Sequence, residues 1–173
     1  MSVESIRSLI REIPDYPNPG VLFYDITPVL GDGPAFRELL ELMIEPHRDA
    51  GITKVAGIEA RGFTLAAPVA QMLGAGFIPV RKAGKLPHDT HEESYELEYG
   101  IDSLEIHTDA AGPDDTVLVV DDVIATGGTA AAAIKLLTNV GASVAGLSVF
   151  IELTFLNGRA RLGDVPLHAL LRY

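Results

Sequence analysis

The feature that most constrains the fold is a buried strand that leads into two acids and then into a loop of small residues. Residues 116–120, Thr-Val-Leu-Val-Val, are typical of a strand buried on both faces. Asp121 and Asp122 follow directly, and the loop Ala-Thr-Gly-Gly-Thr occupies residues 125–129. A helix-length stretch covers residues 129–140. This order predicts a strand, a loop and a helix, with the loop at the carboxyl end of a parallel sheet.

The small-residue loop is suited to hold an anion. Glycines let main-chain N–H groups approach closely, threonine hydroxyls donate further hydrogen bonds, and a helix N-terminus adds a favourable field. Asp121 and Asp122 stand where carboxylates could accept hydrogen bonds from ribose hydroxyls. For either half of this block alone a tight turn with helix-capping acids is the favoured interpretation, whereas the whole block favours a binding function. The ATP-type loop Gly-x-x-x-x-Gly-Lys-Ser/Thr is absent. The residues predicted to bind a terminal monophosphate are Ala125, Thr126, Gly127, Gly128 and Thr129.

Other apolar runs extend the same pattern. Residues 54–60, 76–80 and 143–151 read as further strands, and residues 63–73 have the length of a helix. Strands alternating with helices predict an α/β fold: a doubly wound, mainly parallel sheet flanked by helices, with ligands bound outside the carboxyl ends of the strands. Pro68 lies inside the predicted helix and favours a kink there.

The N-terminal part of the chain predicts two helices separated by a loop. The helices are expected over residues 5–13 and 35–50, and the second is expected to break at Pro46. Prolines and a glycine between them require an extended connection.

A change of hydrophobic period marks an insertion in the second half. Between residues 92 and 107 the apolar residues recur at every second position, which predicts a hairpin with its turn near Gly100. We therefore expect one domain over residues 1–173, with a distinct N-terminal segment at residues 1–33 and a mobile loop at residues 83–108.

Composition excludes several classes of function. The chain of 173 residues has a formal net charge of -11, which disfavours broad nucleic-acid binding. It has no cysteine, so a disulfide framework, a thiolate metal site and a cysteine nucleophile are excluded. No apolar run has membrane-spanning length, and we expect a cytoplasmic protein. Local positive charge is densest at Arg81, Lys82 and Lys85, which favours a small anionic ligand there.

Taken together, these segments resemble the type I phosphoribosyltransferases. Residues 116–129 resemble the family's signature for binding 5-phosphoribosyl-1-pyrophosphate (PRPP). Residues 59–63, Glu-Ala-Arg-Gly-Phe, follow a predicted strand and are similar to the pyrophosphate loop of the adenine phosphoribosyltransferases. Residues 80–87 and 94–100 are similar to that family's second basic loop and its mobile catalytic loop. By resemblance, the pyrophosphate ligands are Arg61, Lys82, Lys85 and Tyr99.

The resemblance also implies roles at the purine base. Residues 13–28 are similar to the family's N-terminal purine-binding segment, in which Tyr24 stands where most members carry arginine. Glu98 matches the acid that approaches the base, and Glu98 and Arg61 are the implied catalytic residues. The implied adenine contacts are Val21, Phe23, Tyr24 and Val123.

The family resemblance implies a purine salvage reaction in which adenine and PRPP give AMP and pyrophosphate. It implies Mg²⁺ as cofactor, bound mainly through PRPP, pyrophosphate and water, with no metal-binding residue assigned. It also implies a homodimer whose partners are these small molecules rather than nucleic acid or membrane.

Three alternatives stay open from the sequence. The first is a phosphoribosyltransferase for another base, such as xanthine, hypoxanthine or orotate. The second is a non-catalytic PRPP-binding regulator, which the acidic chain without a helix-turn-helix pattern disfavours. The third is a phosphoacceptor domain, which the loop after the acids disfavours. His88 and His91 have no third metal ligand near them in the sequence, which favours a solvated loop.

Overall fold

The computed structural model describes residues 2–96 and 100–173. The chain divides into two compact units, the first ending at Leu42 and the second running over Met43–Tyr173, and each is described by itself. No helix in the described part of the chain is long and apolar enough to cross a bilayer.

The first unit holds short helices and a two-stranded antiparallel ribbon. Ser2 caps the first helix, because its hydroxyl accepts a hydrogen bond from the Ser5 N–H at 3.2 Å. In chain order the elements are α1 (Val3–Leu9), β1 (Arg11–Pro14), β2 (Leu22–Asp25), α2 (Thr27–Gly31) and the start of α3 (Gly33–Ile44).

The predicted helix over residues 5–13 is wrong in its second half. The helix ends at Leu9, and β1 pairs with β2 instead. The intervening loop folds back on itself, since the Tyr16 N–H donates to the Val21 carbonyl at 3.2 Å and the Gly20 N–H donates to the Asp15 carboxylate at 2.7 Å. Strand pairing across this closed loop overrides the local helical pattern.

The prediction of a break near Pro46 is confirmed. Helix α3 ends at Ile44, and a single 3₁₀ turn covers Glu45–His47. Proline lacks the N–H that would continue the α-helical pattern and disfavours helical backbone in the residue before it.

The second unit is built on a seven-stranded mixed sheet. Its order is β5-β6-β4-β3-β7-β8-β9, in which the four pairs from β4 to β9 are parallel and the pairs made by β6 are antiparallel. The elements are β3 (Lys54–Ile58), α4 (Arg61–Leu73), β4 (Gly76–Lys82), β5 (Thr90–Glu96), β6 (Ile101–His107), β7 (Thr116–Ile124), α5 (Gly128–Asn139), β8 (Ser143–Glu152) and β9 (Leu167–Arg172).

The strand order creates a switch point between β3 and β7. These two strands are parallel neighbours, with Gly57 paired with Val120. The next strand after β3 is β4 on one side, and the next after β7 is β8 on the other. Loops leaving such a pair diverge and open a crevice at the carboxyl ends of the strands. The predicted doubly wound, mainly parallel fold is confirmed.

The two main helices cover opposite faces of the sheet. Ala56 and Ile58 belong to the buried cluster that includes Leu136 and Leu137 of α5. Gly57 alternates with them along β3, and a Cβ added to it would project from the other face of the sheet against Ala66 of α4. Helix α4 continues through Pro68 to Leu73.

Strand β7 is longer than its apolar run suggests. It extends to Ile124, so Asp121 and Asp122 lie within the strand. The sequence predicts that they follow the strand, and that prediction is wrong. The cause is the long partner β8, which pairs with Asp121, Val123 and Ile124. The acids are therefore held by sheet pairing.

The predicted hairpin is confirmed as β5 and β6, which pair from Thr90 with His107 to Glu96 with Ile101. Leu97, Glu98 and Tyr99 lie outside the described residues.

We expect a large contrast between two isoleucines of β6. Ile106 is 0% exposed in the core cluster, whereas Ile101 is 75% exposed. Ile106→Ala should lower the free energy of unfolding by about 2–5 kcal/mol, because it removes buried methyl groups and leaves a cavity. Ile101→Ala should change it by less than about 0.5 kcal/mol. Chemical denaturation measures both, and equal losses would contradict the described packing of β6.

Candidate active site

A cavity of about 420 Å³ opens at the carboxyl ends of β3 and β7. It therefore lies at the switch point of the sheet, where ligands of such folds bind. Its walls come from the segment after β3, the end of β7 and the start of α5. The lining residues are 58–61, 121–127, Thr129 and Ala130.

The first wall places a cation against a buried acid. Arg61 begins α4, and its Nε lies 2.7 Å from Oδ2 of Asp122. The Asp122 side chain is buried, whereas that of Arg61 is half exposed. The peptide bond between Glu59 and Ala60, directly before Arg61, is cis. Arg61 can thus present its outer nitrogens to an anion while Asp122 holds its Nε.

Asp121 is the acid with the more unusual environment. Its Oδ1 accepts a hydrogen bond from the Asp122 N–H at 2.9 Å. A Cβ at Gly62 would lie 2.8 Å from the same oxygen and 3.2 Å from the Val120 carbonyl oxygen, so a larger residue there would force this carboxylate to shift. Burial, followed by the negative charge of Asp122, raises the pKa of Asp121 well above its usual range. A carboxylate in this position gains from hydroxyl donors.

The small-residue loop turns directly into helix α5. Gly127 caps the helix with φ +82°, a left-handed backbone that favours glycine. Ala125, Thr126 and Thr129 line the cavity with it, so the helix N-terminus opens toward that space. Main-chain N–H groups there suit a phosphate. Gly128 instead lies against Tyr95 and Glu96 of β5 and does not line the cavity.

The two predicted pyrophosphate lysines do not line this cavity. Lys82 ends β4, and its Nζ lies 2.9 Å from Oδ2 of Asp102 on β6. The hydrogen bond between them raises the pKa of Lys82 and lowers that of Asp102. Lys85 lies in the following turn with its side chain exposed.

Glu59, which lies just before Arg61, binds the end of β4 at Arg81 and Lys82. Sequence reasoning missed this role of Glu59. Its Oε2 accepts hydrogen bonds from Arg81 Nε at 3.0 Å and from the Lys82 N–H at 2.9 Å. It also precedes Arg61 by two positions. Its place in the motif beside Arg61 was the available signal.

Glu105 holds the other end of the same basic segment and was also missed. It is 4% exposed, and its Oε1 accepts the N–H groups of Lys85 at 2.8 Å and Leu86 at 2.7 Å. Burial alone would raise the pKa of Glu105, but the N–H donors of Leu86, Gly84 and Lys85 outweigh it and lower the pKa. In the sequence Glu105 is a single charged residue between Leu104 and Ile106, and this pattern gives no sign that it is buried and accepts main-chain hydrogen bonds.

Tyr95 connects the hairpin with the small-residue loop. Its hydroxyl donates to Asp102 Oδ2 at 3.3 Å, and its side chain also forms a hydrogen bond with Thr129. Burial raises the pKa of Tyr95. The chain of contacts from Lys82 through Asp102 and Tyr95 therefore ends on the loop that begins α5.

The predicted base-binding residues fall in both units. Val123 lines the cavity, whereas Val21, Phe23 and Tyr24 belong to the first unit. Within that unit, Phe23 stacks edge-on against Tyr16, with ring centroids 5.1 Å apart.

Tyr24 stands opposite Glu12 in the ribbon. Burial, followed by the charge of Glu12, raises the pKa of its hydroxyl. Glu98 and Tyr99, predicted at the base and the pyrophosphate, lie outside the described residues. Within residues 2–96 and 100–173 no three potential ligands gather as a metal group, and His88 packs 6.0 Å from His107.

Comparison with known proteins places this geometry in a family. A model of the phosphoribosyl transferase domain matches residues 30–164. An adenine phosphoribosyltransferase of Nitrosococcus oceani is 53% identical over 171 residues, which cover 99% of this chain and 100% of the relative. One of Thermobifida fusca is 56% identical over 165 residues, which cover 95% and 94%. The crystal structure of adenine phosphoribosyltransferase from Rhodothermus marinus has a TM-score of 0.95 and 52% identity, covering 99% of this chain and 98% of that one.

We expect Asp121→Asn to raise the free energy of unfolding, and to raise it most at the alkaline end of the pH range tested. The raised pKa means that the charged carboxylate costs stability in the folded state. That cost is full above the folded-state pKa, falls as the pH decreases through it, and vanishes below the unfolded pKa. The gain from the substitution should therefore shrink toward pH 4. Denaturation curves from pH 4 to pH 8 measure it, with Asp114→Asn as a control at an exposed aspartate. A gain that does not vary with pH would contradict this environment.

Proposed function

Because the chain belongs to the phosphoribosyltransferase family, and within it to the adenine phosphoribosyltransferases, we propose that the cavity between β3 and β7 holds PRPP. The enzyme catalyses the purine salvage reaction that converts adenine and PRPP to AMP and pyrophosphate. The relatives' names favour adenine over xanthine, hypoxanthine and orotate, and an enzyme over a PRPP-binding regulator. One observation carries the site assignment: a single cavity is lined by Arg61, two carboxylates and a helix N-terminus.

The 5-phosphate of PRPP is assigned to the loop that begins α5. Ala125, Thr126, Gly127 and Thr129 line the cavity, and the first N–H groups of a helix have no partner within the helix. Gly128 contributes through the main chain of the same turn. Its closeness to β5 supports a role in fixing the loop more than one in direct contact.

The ribose hydroxyls are assigned to Asp121 and Asp122. Both carboxylates line the cavity between the proposed phosphate loop and Arg61, so they lie where a bound sugar would lie. Hydroxyl donors would stabilise the charge on Asp121 that burial and Asp122 disfavour.

Arg61 is assigned to pyrophosphate, together with Lys82, Lys85 and Tyr99. The guanidinium suits two oxygens of a phosphate, and Arg61 lines the cavity with its side chain half exposed. Lys82 would exchange Asp102 for pyrophosphate, and Glu59 and Glu105 would keep its segment near Arg61. These cations would stabilise the negative charge that develops as pyrophosphate leaves.

The proposed reaction does not require a covalent intermediate with the protein. The bond between ribose C1 and pyrophosphate breaks while the adenine nitrogen forms a bond to C1, so positive charge develops on the sugar and negative charge on the leaving group. Holding the two reactants in line and neutralising the leaving group are the main contributions of the chain.

Magnesium fits this site as a cofactor bound through the substrate. The carboxylates of Asp121 and Asp122 can accept hydrogen bonds from waters bound to magnesium, and Asp122 is already paired with Arg61. When bound, the ion would neutralise charge on PRPP and pyrophosphate. We assign no direct protein ligand to it.

Adenine is assigned to Val21, Phe23, Tyr24 and Val123. Main-chain groups near Val21 would bind the purine edge, while Phe23 would stack on the ring. The family resemblance assigns Glu98 to a hydrogen bond or proton transfer at the imidazole edge of the base. We also expect a cytoplasmic homodimer, whose mass analytical ultracentrifugation measures directly.

We expect Arg61→Lys to lower kcat/KM for PRPP by about 100-fold. Lysine keeps the charge but loses the planar fork that holds Asp122 and two phosphate oxygens together. Steady-state kinetics with PRPP and magnesium measures the loss, and Arg37→Lys on the exposed side of α3 is the matched control. A variant with wild-type kcat/KM would refute the pyrophosphate assignment.

Glu98→Gln should lower kcat/KM for adenine by about 10- to 100-fold, because a neutral amide cannot accept a proton from the base. The pH profile of the remaining activity should lose the limb that Glu98 supplies. Glu96→Gln, two positions away on β5, is the control. If Glu98→Gln keeps the wild-type rate and pH profile, Glu98 has no part in proton handling.

A further inference from the structure

The segment that follows β8 lies against the proposed phosphate loop. It consists of two 3₁₀ turns, Thr154–Leu156 and Gly158–Arg161, joined at Asn157. Leu153, the residue before the first turn, is tied to the end of β7, because its N–H donates to the Ile124 carbonyl at 3.0 Å. The segment therefore begins beside the residue that precedes the loop.

Main chain packs directly on main chain at Gly158. A methyl group added to Gly158 would overlap the carbonyl oxygen of Ala125 and lie 2.9 Å from the nitrogen of Gly127. A methyl group added to Gly127 would in turn overlap the carbonyl of Gly158. Backbone atoms cannot rotate out of the way as a flexible side chain can. Gly158 is thus a rigid support behind the left-handed turn at Gly127.

The next residue anchors this support to the sheet. Arg159 binds Glu152 with two contacts, Nε to Oε1 at 3.0 Å and Nη2 to Oε2 at 2.7 Å. Glu152 is 5% exposed and pairs in register with Ile124 at the end of β7. Arg159 also donates from Nη1 to the Leu167 carbonyl at 3.3 Å, at the start of β9.

A second cation completes the anchor. Arg172 on β9 places its Nε 3.3 Å from Oε2 of Glu152. The acid therefore joins β8, β9 and the 3₁₀ segment at one point. A fork-shaped pair of this kind fixes direction as well as distance.

We propose that Glu152 and Arg159 are positioning residues for the 5-phosphate loop, acting by pressing the main chain of Gly158 against Ala125 and Gly127. This inference rests on the proposed role of residues 125–129 as that loop. The pair does not touch the substrate; it keeps the N–H groups at the start of α5 in the arrangement that a phosphate requires. Disrupting the pair should therefore weaken the binding of PRPP and AMP, which carry a 5-phosphate, more than the binding of pyrophosphate.

The test uses Gly158→Ala in the full-length enzyme, with Gly112→Ala as control because a methyl group there meets nothing within 4 Å. Steady-state kinetics gives KM for PRPP and the inhibition constants of AMP and of pyrophosphate. We expect Gly158→Ala to raise KM for PRPP and the inhibition constant of AMP at least 10-fold, and to change that of pyrophosphate less than 3-fold. Equal weakening of both products would indicate general damage and overturn the proposal.

Arg159→Lys provides an independent arm if Gly158→Ala fails to fold in circular dichroism. Lysine keeps the charge but not the fork, so a smaller loss is expected, about 3- to 10-fold for AMP and again selective over pyrophosphate. If the folded variants match Gly112→Ala within twofold, the positioning role is refuted.

Thr126→Ala separates this outcome from failure of the loop assignment. If Thr126→Ala weakens AMP while Gly158→Ala and Arg159→Lys do not, only the positioning role is wrong. If none of the three changes AMP or PRPP, residues 125–129 do not bind the phosphate.

Discussion

The parallel pairing of β3 with β7 is the constraint on which the rest of the structure depends. It brings together two segments that are sixty residues apart, one ending in Arg61 and the other carrying Asp121 and Asp122. The chain continues from β3 to β4 on one side and from β7 to β8 on the other, so the loops that leave β3 and β7 diverge and a crevice stays open between them. The loop after either strand would not form a binding site by itself. Their adjacency puts a cation, two acids and a helix N-terminus around one cavity.

The cations near this cavity are held by acids of the same chain. Arg61 pairs with Asp122, Lys82 with Asp102 and Arg81 with Glu59. Asp122 would keep the Nε of Arg61 while the outer nitrogens of the same guanidinium bind pyrophosphate, so on the proposed assignment Arg61 joins the pyrophosphate end of PRPP to the acids that face its ribose. This explains how a chain of net charge -11 can accept a strongly anionic substrate without a broad basic surface.

The sequence predicted best what depends on short range and on burial. The buried parallel strands, the helix starts near Arg61 and Gly128 and the hairpin are found as expected. Two errors in the predicted elements have one cause, since pairing with a distant strand decides both. Residues 11–13 belong to the predicted helix but pair with β2, and the acids of β7 remain in the strand because β8 continues beside them. A local sequence pattern does not show which distant strand will pair with a segment.

The missed site residues follow the same physical rule. Glu59, Glu105 and Glu152 accept hydrogen bonds from other segments of the chain, and a glutamate looks the same in the sequence whether or not it does so. Gly127 was predicted because a glycine pair beside threonines has a local meaning. Gly158 was not, because its meaning lies only in the main chain that it contacts. A loop that binds an anion through N–H groups needs those groups fixed before the anion arrives, since ordering them on binding would consume part of the binding energy. The rigid support behind the loop is therefore as much a part of the site as the residues that line it.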